Sequence, residues 1–285
     1  MKTLSYTPSR LAPYVNWAYF FYAWGISARF TPSPHIVSCT ACTAAWIASQ
    51  PNEKRAAAVA ALDLMKQAQT MLSQLEAEGL EVLARFALLP CRSKGEDLVF
   101  EDTWNLPLLR QQKKDGVCLC LSDFVLPVGY DGGDGVNDRV GIYATTCKES
   151  EPHEADMLRQ TVLDRLCEAA AELMHQEVRK HYWGYAPDEH LSMEDLHAER
   201  FQGIRPAIGY PCLPDQRVIF LLSRHLNFQE IGIKLTEIGA MLPHASTCGL
   251  LLAHPEAHYF TVGEVSKEQW ADYEKRLLKE LSFKG

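Results

Sequence analysis

The sequence predicts an α+β protein with an antiparallel β-sheet beside long helices, organised as one domain over residues 1–285. Three observations carry this expectation. Segments 53–78 and 152–182 have long runs of helical spacing. The strand-like runs cluster between and after them instead of alternating with them as βαβ units would. No repeat, low-complexity stretch or linker marks a boundary.

The elements follow in chain order. Residues 11–28 carry no charge and are aromatic (Tyr14, Trp17, Tyr19, Phe20, Phe21, Tyr22, Trp24). The stretch is short for a membrane span and contains Pro13, Asn16 and Gly25, so it reads as a buried aromatic helix. A second uncharged stretch, between Arg29 and Glu53, is broken by Pro32 and Pro34. In 53–78, Val59, Leu62, Met65, Leu72 and Leu75 fall on one helical face, and Gly79 ends the helix. Strands are expected at 99–101, 117–124 and 139–146, with a turn-rich connection at 130–138. The helix over 152–182 buries Val162, Leu166, Leu173 and Val178, and its last turn carries Arg179, Lys180 and His181, which suit the helix dipole. Ser192 and Asp195 form a capping box before a short helix. Further strands are expected at 233–241, 246–254 and 258–265, the last two joined by a tight connection around Pro255. Ser266 and Gln269 then start a final helix that runs to about Leu281.

Composition narrows the function. The chain is 47% hydrophobic, enough for a large core, and its net charge of −8 argues against a nucleic-acid partner. Nine scattered cysteines fit a reducing cytoplasm. Cys39 and Cys42 form a CxxC without the second pair a zinc site needs. His254 and His258 are separated by Pro255 and cannot share a helical face as zinc-binding HExxH histidines do. Asp131, Asp134 and Asp138 miss the calcium-loop spacing. Asp164, Glu168 and Glu172 recur every four residues on one helical face. The sequence has no phosphate-binding P-loop, nucleophile elbow or dinucleotide fingerprint.

The segment from Gly203 to Asp215 (GIRPAIGYPCLPD) is more specific. Three prolines and two glycines forbid a helix or a central strand, and Pro206 keeps Arg205 extended. Gly209 permits close approach of a ligand to the main chain. The result is a stiff loop presenting one arginine, which either caps a helix end in a structural loop or offers its fork to a ligand carboxylate with a contact of about 1.5–3 kcal/mol.

The run VRKHYWGYAPDEHLSMEDLHAERFQGIRPAIGYPCLPD at 178–215 resembles the signature of the activation domain of cobalamin-dependent methionine synthase. Other runs follow in that family's order: YVNWAYFFYAW at 14–24, LRQQ at 109–112, CLSDFV at 120–125, KLTEIGAMLPHAS at 234–246 and HPEAHYF at 254–260. The resemblance spans nearly the whole chain. It implies a curved domain on a twisted antiparallel sheet and an S-adenosylmethionine site. Arg205 would hold the ligand carboxylate, with Ala207, Gly209, Tyr210, Tyr259 and Phe260 lining the site and Asn16 near the ligand ammonium. Asp164, Glu168 and Glu199 are further candidates. Met241, Pro243, His244, Ala245 and Ser246 would face a corrinoid.

The implied role is reductive remethylation of cob(II)alamin, with cobalamin held by a partner domain or protein and the electron delivered by a flavodoxin-like donor. The chain would then be a cytoplasmic methyltransferase component, inactive without its corrinoid partner and free of nucleic-acid or membrane partners. The chain holds little beyond this module, which implies either a stand-alone activator that works on a separate corrinoid protein or a fragment of a longer enzyme. Alternatives are a non-catalytic docking or sensor module, and a degenerate scaffold. Four departures bear on them. Asn16 replaces an aspartate, at a cost of about 1–2 kcal/mol in ligand binding; Phe260 replaces a tyrosine, His244 a glycine and Gln216 a histidine.

Overall fold

The computed structural model describes residues 1–27, 31–101, 103–130, 138–148 and 156–283. The first elements are β1 (Lys2–Tyr6), α1 (Pro8–Leu11), α2 (Trp17–Ala23), α3 (Pro34–Ser38), α4 (Thr40–Ser49) and α5 (Arg55–Ala77). Then come β2 (Glu81–Pro90), β3 (Arg92–Lys94), β4 (Asp97–Phe100), β5 (Trp104–Pro107) and β6 (Arg139–Lys148). The remainder is α6 (Met157–Glu177), α7 (Met193–His197), α8 (Val218–Leu226), β7 (Lys234–Leu235), β8 (Met241–Leu242), β9 (Ser246–Leu251) and α9 (Lys267–Ser282). The architecture is α+β, as the clustering of strands implied.

The main sheet has the order β1-β2-β6-β9, with every neighbour antiparallel. β6 is central because its sequence, RVGIYATTCK, is buried from Val140 to Cys147 and so has an apolar layer on each side. Val140, Ile142 and Ala144 join one core with Leu250 of β9, α8 and the end of α9. Tyr143 and Cys147 join the other with Val82, Phe86, α5 and α6. Each buried large apolar side chain contributes about 1.5–3 kcal/mol, so a one-residue slip of β6 is excluded by both cores at once. β3-β4-β5 form a second small sheet, and β7 pairs with β8.

Several local expectations are corrected. On α5 the buried face is Ala58, Ala61, Leu62, Met65, Ala68 and Leu75, while Val59 is exposed. Residues 117–124 are an irregular stretch ending in a 3₁₀ turn at Leu121–Phe124. Side chains take the place of a ladder there. Asp123 accepts the Cys120 N–H at 2.8 Å and two bonds from Arg110 at 2.7 Å, and Gln111 accepts the Leu119 N–H at 3.0 Å. The run 233–241 is split into β7 and β8 because Thr236 and Ala240 close a turn between them, with Gly239 at φ +82°. The run 258–265 is not a strand: its backbone bonds elsewhere, Val262 N–H to Pro211 O at 2.9 Å and Thr261 O to the Gln111 amide at 2.7 Å. Asp131, Asp134 and the first residues of the expected 152–182 helix lie outside the described residues. No helix among the described residues is long and apolar enough to cross a membrane.

Candidate binding site

The site is built on the α6 side of the main sheet. Along α6, positions 165, 168, 169 and 172 recur at steps of three and four and therefore share one face. That face, with Arg165, Glu168, Ala169 and Glu172, forms one wall of a cavity of about 350 Å³. Tyr143 of β6 and Thr247 of β9 line it from the sheet. Tyr14, Asn16 and Tyr19 approach from the N-terminal aromatic segment, and Leu196, His197 and Glu199 from α7 and the residues after it. Arg205, Ala207 and Tyr210 complete the lining.

The loop carrying Arg205 is fixed by the free edge of β9. Ile204 and Leu252 exchange N–H···O bonds of 2.9 and 3.0 Å, Leu250 N–H donates to Pro206 O at 3.0 Å, and Ile208 N–H to Cys248 O at 3.0 Å. This works because Gly249 has no side chain: a Cβ there would collide with the Pro206 carbonyl oxygen. The prolines thus keep the segment at the sheet edge, where a missing N–H is tolerated. Tyr259 supports the same loop, its hydroxyl accepting the Arg205 backbone N–H at 3.0 Å and its ring lying 5.8 Å from that of Tyr210.

Arg205 and Glu172 meet at 2.8 Å, with side chains only 16% and 13% exposed. Neither is saturated: Arg205 Nε and Glu172 Oε1 are buried without a hydrogen-bond partner. Leaving such atoms unmatched is costly, about 1–3 kcal/mol each, more when charged. Arg165 reaches Glu168 at 2.8 Å. Burial raises the Glu168 carboxyl above its ordinary value, against the pull of Arg165 and Arg205. Burial raises Glu199 likewise, with Arg205 opposing. Glu199 sits at φ +56°, an uncommon backbone state for a side chain of its size, directly after α7. Two guanidiniums against three carboxylates leave one negative charge in excess in the cavity lining.

The segment that delivers α7 and Glu199 is held from below. Arg179 is fully buried, its Nε and Nη2 each 2.8 Å from the Glu189 carboxylate and its guanidinium 4.1 Å from the centre of the Phe201 ring. It sits in the last helical turn as expected, and through Glu189 and Phe201 it also tethers residues 183–201. The Ser192–Asp195 capping box starts α7 as expected.

Of the residues expected in the site, Asn16, Glu168, Glu199, Arg205, Ala207 and Tyr210 come together in the lining. Asn16 does so with its Oδ1 engaged, capping α2 by accepting the Ala18 N–H at 3.2 Å. Tyr259 acts from behind the loop. Phe260 instead packs near Phe124, with ring centres 6.4 Å apart, and Gly209 turns the chain at φ +91° toward Leu213; neither lines the cavity. Asp164 also misses the lining, because it bonds Gln160 at 2.8 Å and lies 3.4 Å from His244. Among the corrinoid-facing candidates, His244 is 77% exposed and Met241 and Pro243 are half-buried, but Ala245 is buried beneath the turn. Ser246 is half-buried and bonded to Pro243 O at 2.7 Å. Sequence reasoning missed Tyr14, Tyr19, Tyr143, Arg165, His197 and Thr247. Glu172 stood out in the carboxylate stripe, yet only the fold pairs it with Arg205. His254 and His258 are tied to their own turn, and no three metal-ligating side chains cluster among the described residues.

Fold and cavity together define an α+β binding domain with a closely held arginine–carboxylate pair, suited to a small ligand bearing both charges. The chain belongs to the family of vitamin B12-dependent methionine synthase activation domains, whose model matches residues 8–277. It is similar to the crystal structure of the MetH reactivation domain bound to AdoHcy, with 30% identity and a TM-score of 0.82, over 99% of this chain and 90% of that one.

Proposed function

We propose that the cavity binds S-adenosylmethionine and that the chain presents it for remethylation of a corrinoid held by a separate domain or protein. The observation that carries this is the unsaturated Arg205–Glu172 pair: a spare buried Nε–H for a carboxylate and a spare buried Oε1 for an ammonium, in one cavity. An amino-acid end group supplies both. The one excess negative charge of the lining complements a ligand whose sulfonium gives it a net positive charge. The similar MetH reactivation domain is bound to AdoHcy, a ligand with the same amino-acid end group, which supports this reading.

S-adenosylmethionine brings a methyl made electrophilic by its sulfonium, and the partner's cobalamin, reduced by a flavodoxin-like donor, brings the cobalt that accepts it. The chain needs no acid or base for such a transfer. Arg205 and Glu172 fix the ligand's amino-acid end. Ala207, with the edge of β9 behind it, holds the loop against the ligand, and Tyr210 and Tyr19 cover it. Glu168 and Glu199 stabilise its positive charge. The contribution is proximity and orientation. His244, Met241 and Pro243 on the exposed turn are the corrinoid-facing residues of this reading. The chain is a methyltransferase component in the cytoplasm, active only with its partner.

One observation favours the scaffold alternative: the Asn16 Oδ1 is engaged by α2 and has no charge to offer an ammonium. Transfer of a labelled methyl from S-adenosylmethionine to a supplied, chemically reduced corrinoid protein separates the readings. Label on the corrinoid that depends on the chain and is lost in Arg205→Ala supports the activation role; no chain-dependent transfer supports docking or scaffold.

A further inference from the structure

Cys39 and Cys42 take no part in the site above. Cys39 is the N-cap of α4, and its Sγ accepts the Cys42 N–H at 3.3 Å. An oxygen-bearing side chain normally fills that position. A thiol caps weakly, whereas a thiolate gains from the positive end of the helix as well as from the N–H. The two cysteines stand one helical turn apart, about 5–6 Å between Cα atoms, which a disulfide spans.

Each cysteine also shifts the other: Cys42 draws the Cys39 thiol below its ordinary value, and Cys39 pushes Cys42 above its own. Such asymmetry separates an attacking sulfur from a resolving one. Accessibility narrows the nine cysteines to three. Cys91, Cys120, Cys147, Cys167, Cys212 and Cys248 are buried, while Cys39, Cys42 and Cys118 are half-buried. Burial pushes Cys91 up to about 12 and Cys212 up to about 11, which makes them inert. Cys118 has no second cysteine one turn away on a helix, and its sulfur is bonded to the Lys113 backbone.

We propose that Cys39 and Cys42 form a thiol–disulfide exchange site that takes low-molecular-weight disulfides. The Cys39 thiolate attacks one sulfur of the substrate, making a mixed disulfide and releasing one substrate thiolate. The Cys42 thiol, losing its proton to solvent, then attacks the Cys39 sulfur. This forms the Cys39–Cys42 disulfide and releases the second substrate thiolate. Two protein thiols are oxidised and one substrate disulfide is reduced to two thiols. α4 then carries the bond across its first turn.

The test exposes the reduced full-length chain to glutathione disulfide at neutral pH, quenches with acid, alkylates and maps the peptides. The Cys39–Cys42 disulfide should accumulate at least tenfold faster than any modification of Cys118. Cys42→Ser should stop at a mixed disulfide on Cys39, and Cys39→Ser should leave Cys42 unmodified over the same time. The wild-type measurement stands without either variant. Modification of Cys39 no faster than of Cys118, or a Cys39 that goes only to the mixed disulfide in the wild type, would overturn the proposal.

Discussion

The Arg205 guanidinium gives one N–H to Glu172 and keeps its Nε–H without a partner among the described residues. Removing one member of such a buried pair strands the other charge, typically at a cost of 3–5 kcal/mol or about that order. Glu172→Gln keeps the shape and a hydrogen-bond acceptor, so it should destabilise the fold by only about 1–3 kcal/mol in urea unfolding. It should nevertheless weaken S-adenosylmethionine binding by tenfold or more, because the ammonium loses its charged acceptor. Equal affinities for Glu172→Gln and wild type would remove Glu172 from the site. Glu168 and Glu199 set a pH dependence. Burial holds both folded-state values above the ordinary 4.5. The folded chain therefore binds these protons more tightly than the unfolded one, and the stability from these two groups declines as pH rises above 4.5. Ligand binding runs the other way, since the ionised carboxylates attract the sulfonium. Affinity should fall on acidification through their raised values, with a shallower fall in Glu168→Gln. Parallel pH profiles for wild type and Glu168→Gln would contradict this assignment. The sequence displayed Arg205 plainly, through the prolines around it. It also displayed the Glu168–Glu172 stripe, but not the pairing of Glu172 with Arg205, since 33 residues separate the two.

At the scale of elements, the edge of β9 and the 204–208 segment act as one unit. Gly249→Ala should push that segment off the sheet, costing about 1–3 kcal/mol as overpacking does, and should abolish ligand binding while leaving the helix content measured by circular dichroism unchanged. Ligand affinity retained in Gly249→Ala would mean that the loop is positioned by something other than β9. Elements with strong local signals were legible in the sequence: α5, α6, α9 with its Ser266 cap, and β6. Those that failed rest on distant partners. Residues 117–124 and 258–265 alternate like strands, yet Asp123 and Gln111 satisfy the backbone of the first and Pro211 and Gln111 that of the second. The Val59 error has the same origin. An Ala face at 58, 61 and 68 lets α5 pack closely, and hydrophobicity alone does not rank alanine above valine.

At the scale of the whole molecule, β2 and β6 belong to both cores, with Phe86 and Tyr143 on one side and Ala87 and Ile142 on the other. Neither core keeps its shape when these two strands separate. We expect one cooperative unit: amides of α5 and of α8 should exchange with the same urea dependence in native-state hydrogen exchange, and those of β6 should be slowest. Two separate transitions would divide the chain into two units. The cavity inherits its order from the same sheet, since Tyr143 and Thr247 line it directly and β9 holds the loop of Arg205.

Whether this cavity holds S-adenosylmethionine through Arg205 is decided by calorimetric titration of the purified chain with S-adenosylmethionine, beside Arg205→Ala. Saturable binding at one site is expected, weakened at least tenfold in the variant in line with the loss of about 1.5–3 kcal/mol from a charged hydrogen bond. Binding of equal strength to both proteins, or no binding to the wild type with or without a corrinoid partner, would contradict it.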